Sequence, residues 1–204
     1  MQIRLENEKD YREVEELVRN SFWNVYRPGA YEHFIVHNLR NDESRVSNLA
    51  YVIEDGKKIV GNINYSIGEI DYEKCVVPAV ILGPVAVDEN CRNMGLASRL
   101  INHTLEIAKN EGIPFVLVVG DENYYSRFGF ESASKYNLYL ENTDVNEENP
   151  FFMINVFDGT RLEGKFGIFH NPDVFDVDEK ELDEFDRQFE YREKLVLDTQ
   201  LKEL

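Results

Sequence analysis

Apolar residues recur along this chain with two periods. After a short strand-like start, Asn7 offers a helix N-cap with Asp10 three residues on, an approximate capping box. Val14, Leu17, Val18 and Phe22 then repeat on one helical face. Pro28 and Gly29 break the chain, and Tyr31–Arg40 predicts a second helix with Phe34, Ile35 and Leu39 apolar. The pattern then changes to strands: Tyr51–Glu54 and Lys58–Ile70 predict a hairpin turning at Asp55-Gly56, and a turn at Asp71–Glu73 leads into CVVPAVILGPVAV. Pro78 and Pro84 each remove a ladder donor, so this strand is expected to be interrupted or bulged. Leu96, Leu100, Ile101, Leu105 and Ala108 restore the helix period until Gly112 and Pro114. Phe115–Val119 is β-branched and continuously apolar, which predicts a buried strand parallel to the one before the helix.

The remainder is less regular. GDENYYSRFGF predicts one helical turn ending at Gly129, and segments 138–140, 151–157 and 164–170 predict strands. His170, on the last of these, reads as structural. Asp178–Phe189 predicts an acidic helix whose narrow stripe of Leu182, Phe185 and Phe189 docks on the body. The end, VLDTQLKEL, is expected to fray. No internal repeat or low-complexity linker divides the chain. Residues 137–204 therefore extend the domain formed by 1–136, or form a lobe attached to it.

Composition narrows the function classes. A net charge of −17 argues against a nucleic-acid binder, which needs a basic face. It suits a cationic acceptor, or simply a soluble acidic surface. No segment has the length and apolarity of a membrane span, and the first residues are too polar for a signal peptide. Two cysteines, Cys75 and Cys91, without a secretion signal suggest a reducing, cytoplasmic setting. Four histidines and two cysteines show no metal-ligand spacing.

The candidate chemistry sits at CRNMGLASRL, Cys91–Leu100, where an apolar strand turns into a helix. The first N–H groups of a helix have no partners within it, and the dipole adds about +0.5 charge there. Gly95 lets a ligand approach the backbone and Ala97 stays small, so the turn suits a phosphate or pyrophosphate, with Arg92 as a second contact. The bland alternative is a plain helix start whose glycine packs against a sheet. Neither a P-loop string nor a GxGxxG fingerprint is present.

Arg92-Asn93-Met94-Gly95-Leu96-Ala97 after Val85-Ala86-Val87, followed by Tyr125-Ser126-Arg127-Phe128-Gly129-Phe130, resembles the GNAT superfamily of acetyl-CoA-dependent N-acetyltransferases. The resemblance spans roughly Ile3 to Tyr136. FWNVYRPGAYEH and VFDVDEKELDEFDRQF look like a YhbS-like bacterial branch and carry it to roughly residue 190. It implies an α/β (α+β) fold with a mixed, mostly antiparallel sheet flanked by helices, an acetyl-CoA-binding core at 1–136 and a strand/helix extension at 137–204. It implies that CoA pyrophosphate rests on the amides of Arg92, Asn93, Met94, Gly95, Leu96 and Ala97. Pantetheine runs beside Val85 and Val87, with a strand distortion at Gly83-Pro84. Tyr125 matches the family's tyrosine, a general acid for the departing sulfur, and Tyr124 competes with it one position away. Position 118 is Val where many members carry Asn, so Asn123 or Asp121 stands in for that residue. Glu32, His33 and Asp88 are base candidates, with Glu32 preferred. Arg127 reaches a CoA phosphate or pairs with a carboxylate.

The implied activity is transfer of acetyl from acetyl-CoA to a primary amine, on a small molecule or peptide, by direct attack in a ternary complex without a metal. The alternative is a non-catalytic acyl-CoA-binding module that acts through a protein partner. An exposed strand in the last third offers an edge for a homodimer.

Overall fold

The computed structural model describes residues 1–162 and 164–200. Its strands are β1 (Gln2–Leu5), β2 (Tyr51–Asp55), β3 (Lys58–Tyr72), β4 (Cys75–Val87), β5 (Phe115–Val119), β6 (Glu131–Ser132), β7 (Leu138–Leu140), β8 (Phe152–Val156) and β9 (Gly167–His170). Its helices are α1 (Tyr11–Phe22), α2 (Glu32–Leu39), α3 (Leu96–Asn110), α4 (Glu122–Tyr125) and α5 (Glu179–Asp186). The strands form one nine-stranded sheet in the order β1-β2-β3-β4-β5-β8-β6, and β9 pairs with both β3 and β7. Among the described residues only β4–β5 and β7–β9 pair in parallel, so the expected mixed, mostly antiparallel sheet is the one that forms.

The two faces of the sheet carry different helices. On one, Leu96, Leu100, Ile101, Leu105 and Ala108 of α3 pack on Ile53, Ile63, Tyr65, Leu82, Val116 and Val118. On the other, Val14, Leu17 and Val18 of α1 and Val36 of α2 pack on Val52, Ile59 and Ala86. β5 needs no polar face because Phe115 and Leu117 meet a second apolar layer that includes Phe152, Ile154 and Phe169. The Tyr65 hydroxyl, buried beneath α3, is 2.7 Å from Thr104 Oγ1. The Asn7–Asp10 capping box forms, over a 3-10 turn that leads into α1.

The prolines of β4 behave differently from one another. Ile63 pairs with Val85 and Tyr65 with Leu82, so Gly83 and Pro84 stand opposite Asn64 alone: the expected bulge. At Pro78 there is no such irregularity, and the β3–β4 register runs unbroken from Leu82 to Cys75. β5 pairs with β4 only from Val80 onward. At Pro78 one side of β4 therefore has no ladder to lose.

Smaller differences concern ends. The first hairpin loop is Gly56-Lys57, since Asp55 pairs with Lys58. β3 runs two residues past the expected Ile70, because β4 and β9 both pair with it there. β6 was not foreseen, since two residues carry no period. Asp178 caps α5 through Lys180 N and Glu181 N, and Leu182 and Phe185 bury against Phe34 of α2, as the apolar stripe predicts. Of the expected fraying end, residues 201–204 lie outside the described residues.

Candidate active site

The cleft begins where β4 and β5 part. They pair at Val80–Val116, Ile81–Leu117 and Leu82–Val118, and β5 ends one residue later at Val119. Past the bulge, Val85 to Val87 pair with β3 and not with β5, so their other edge faces the opening. Val85 and Val87 are half-buried against the α3 core.

At the end of β4, Asp88 starts a 3-10 turn, Glu89–Cys91, by accepting from Asn90 N. Arg92, Asn93 and Met94 follow, all exposed, Met94 at 56%. Gly95 is the N-cap of α3 with φ 74°, in the left-handed region that favours glycine, and no side chain caps the helix. A Cβ at Gly95 would meet nothing within 4 Å. Open space therefore stands over the uncapped first turn of a fifteen-residue helix.

Across the cleft, Asp121 caps α4 by accepting from Asn123 N, so both residues proposed in place of the missing Asn are occupied in starting that helix. Val118 itself is core, 1% exposed. The structure separates the two phenols that the sequence left competing. Tyr125 packs edge-on to Phe130 at 5.7 Å, and a Cβ on Gly120 would collide with its ring. Tyr124 instead lies under the Arg127 guanidinium, 4.6 Å from its carbon, while Arg127 Nε donates to Tyr124 O. No side chain among the described residues hydrogen-bonds the Tyr125 hydroxyl. Burial pushes its pKa well above the ordinary phenol value, with Tyr124 and Tyr26 adding to the rise.

The base candidates also separate. Glu32 is 8% exposed and its carboxylate folds back to accept from Tyr31 N at 3.0 Å. Burial raises its pKa, opposed by the backbone amides of Glu32 and Tyr31 and by Arg27. His33 is fully buried, with Nε2 3.0 Å from Asp186, the Phe185 ring stacked on it and the Phe189 ring edge-on. It locks α5 to α2 and does not line a cleft. Asp88 pairs with Lys58 at 2.6 Å, and that hydrogen bond holds its pKa below the usual carboxylate range. His170 sits 2.8 Å from Glu141, a structural pairing as expected.

Three neighbours escaped the sequence reading. Tyr26, after α1, is electrostatically coupled to the cleft: burial raises its pKa, and the charges of Glu32 and Asp121 raise it further. Ser21 at the end of α1 donates to Val87 O at the end of β4. Gly120 had a legible signal, a glycine between an apolar strand and two tyrosines. Tyr26 and Ser21 had none, since their roles depend on tertiary approach. Among the described residues no group of three or more His, Cys, Asp or Glu is placed to hold a metal ion, and no helix is long and apolar enough to cross a membrane.

Comparison with known proteins adds a lineage to this geometry. The family model for the acetyltransferase (GNAT) domain matches residues 2–133. The uncharacterized N-acetyltransferase YhbS of Escherichia coli K12 is 33% identical over 138 residues, 68% of this chain and 78% of that protein. The crystal structure of Escherichia coli YhbS in complex with CoA superposes with a TM-score of 0.73 at 28% identity, covering 86% of this chain and 92% of that one. A GNAT family acetyltransferase from Brucella melitensis in complex with acetyl-CoA shares the fold, with a TM-score of 0.66 at 23% identity over 85% of this chain and 97% of that one.

Proposed function

The chain belongs to the GNAT acetyltransferase family, and from that premise we propose that it transfers acetyl from acetyl-CoA to a primary amine by direct attack in a ternary complex. The observation that carries the reading is the open, uncapped helix start at Gly95 beside the unpaired edge of β4. A pyrophosphate suits the amides from Asn93 to Ala97, which open the positive end of α3 where Gly95 leaves the approach clear; the Arg92 amide donates to Glu89 O, so Arg92 would contribute its side chain. The outer edge of Val85 to Val87, apart from Val87 O, which accepts from Ser21, offers backbone groups to the pantetheine amides, as a neighbouring strand would. The net charge of −17 does not oppose this, since fields beyond about 8 Å are largely screened at physiological salt.

Acetyl-CoA supplies an acyl group on a thiol that can leave. Tyr125 is protonated at neutral pH as an ordinary phenol is, and burial raises its pKa further; its hydroxyl donates to the departing sulfur as the amine nitrogen bonds to carbon and the C–S bond breaks. Glu32 takes the proton that the amine gives up, directly or through water, and its raised proton affinity suits that task. Arg127, with its Nε engaged by Tyr124 O, keeps its terminal nitrogens for a CoA phosphate.

The test is release of CoA thiol from acetyl-CoA in the presence of spermidine, tyramine, Nα-acetyl-lysinamide or a dipeptide amide. Amine-dependent release, one CoA per acetylated product, is expected with at least one of these classes. Acetyl-CoA binding without amine-dependent release from any of them would favour the non-catalytic acyl-CoA module instead.

A further inference from the structure

The last described stretch of the chain, residues 187–200, has no regular secondary structure, yet it is tied down along its length to α1 and the loop after it. Arg19 Nη1 donates to Glu190 O, and Trp23 Nε1 and Asn24 Nδ2 both donate to Glu193 O at 3.0 Å. Leu195 N donates to Asn24 Oδ1 at 3.0 Å, and Gln200 Nε2 donates to Asn24 O at 3.2 Å. Asn24 also closes the loop on itself: its N–H donates to Gly29 O, and its Oδ1 accepts from Gly29 N, both at 2.8 Å. Its φ of 59° places it in the left-handed region, which asparagine tolerates better than most residues. Beyond Phe189, which packs on Phe185 and His33, apolar burial does little of this work, since Tyr191 is 86% and Val196 87% exposed.

The loop so fixed is well placed. It runs from Ser21, bonded to the end of β4, to Glu32, and it carries Tyr26. The helices that it joins, α1 and α2, pack on the sheet face opposite α3, whose N-terminus is the cofactor candidate.

We propose that residues 187–200 are a strap that sets the shape of the acceptor entrance, with Asn24 as the positioning residue that joins strap to loop. The assignment of the entrance to an acceptor rests on the transferase reading; the joining itself does not. Strap and loop share Asn24 and hold or loosen together. The strap therefore governs how an amine is received, while the pyrophosphate turn at the start of α3, a helix packed on the opposite face of the sheet, is held without it.

The experiment compares the full chain with Asn24→Gly, which keeps the backbone conformation and removes the side-chain bonds, and with Asn24→Asp, which keeps the acceptor for Gly29 N and Leu195 N. In Asn24→Gly, amide hydrogen exchange is expected to quicken about tenfold or more in both 24–31 and 193–200, with α3 unchanged. Emission from Trp23, the single tryptophan, shifts to the red as its bond to Glu193 is lost. The acetyl-CoA Kd stays within about twofold, and KM rises about tenfold for whichever of the four probe amines the wild type turns over fastest, with kcat changed less. Asn24→Asp falls between. Faster exchange in 193–200 alone overturns the proposal, as does an acetyl-CoA Kd that rises with the amine KM. If no amine is turned over, the transferase reading fails, and the exchange data still decide whether Asn24 joins the two segments.

Discussion

Gly95→Glu is expected to weaken acetyl-CoA binding by about 100-fold or more, read as Kd by calorimetric titration. Charge-assisted hydrogen bonds contribute about 1.5–3 kcal/mol each, so losing the equivalent of one or two gives that factor. The substituted carboxylate would occupy the space that is open over the first turn of α3, meet the same amides and repel the pyrophosphate. Gly95→Ala is the control. It adds no charge and clashes with nothing, and costs only about 1–2 kcal/mol for a Cβ in the left-handed conformation, so its Kd moves far less. Equal losses in both variants would mean that backbone conformation, not anion binding, is the reason for glycine at this position.

Tyr125→Phe is expected to lower kcat by about 100-fold or more, within the range of general acid catalysis, while acetyl-CoA Kd stays nearly constant. The ring that packs on Gly120 and Phe130 is retained, so the change isolates the hydroxyl. Tyr124→Phe serves as the neighbour control. Its ring lies beneath Arg127, and turnover in that variant is expected to stay close to wild type. A Tyr125→Phe enzyme with unchanged kcat removes the proton donor from the account. A fall in the Tyr124 variant instead moves that role one position along the chain.

What the sequence made legible follows from range. The helix faces of α1 and α3, the buried β5 and the capping box at Asn7 are local signals, and they appear as expected. The two prolines of β4 show the limit of a local rule. Both lack the same donor, yet only Pro84 sits in a bulge, because the reach of β5 along β4 decides which side of the strand is bonded. The apolar stripe of α5 was readable, but its polar lock, Asp186 against Arg19 at 2.9 Å and His33 at 3.0 Å, joins residues more than 150 positions apart. His33 looked like a cleft residue only while that partner was unknown. At the candidate site the turn from Arg92 to Ala97 announced itself by its glycine after an apolar strand. The preference for Tyr125 over Tyr124 rested on its spacing from Gly129 alone, since adjacent side chains on one helical turn diverge only when their neighbours are in place.

The central claim is that the amides opening α3 receive acetyl-CoA. The most direct measurement is a titration of acetyl-CoA into 15N-labelled protein, following backbone amide shifts residue by residue. The account predicts saturable shifts concentrated at residues 92–98 and at Val85 and Val87, with α1 and α5 little moved. Absence of saturable shifts, or shifts concentrated away from that turn, would contradict it.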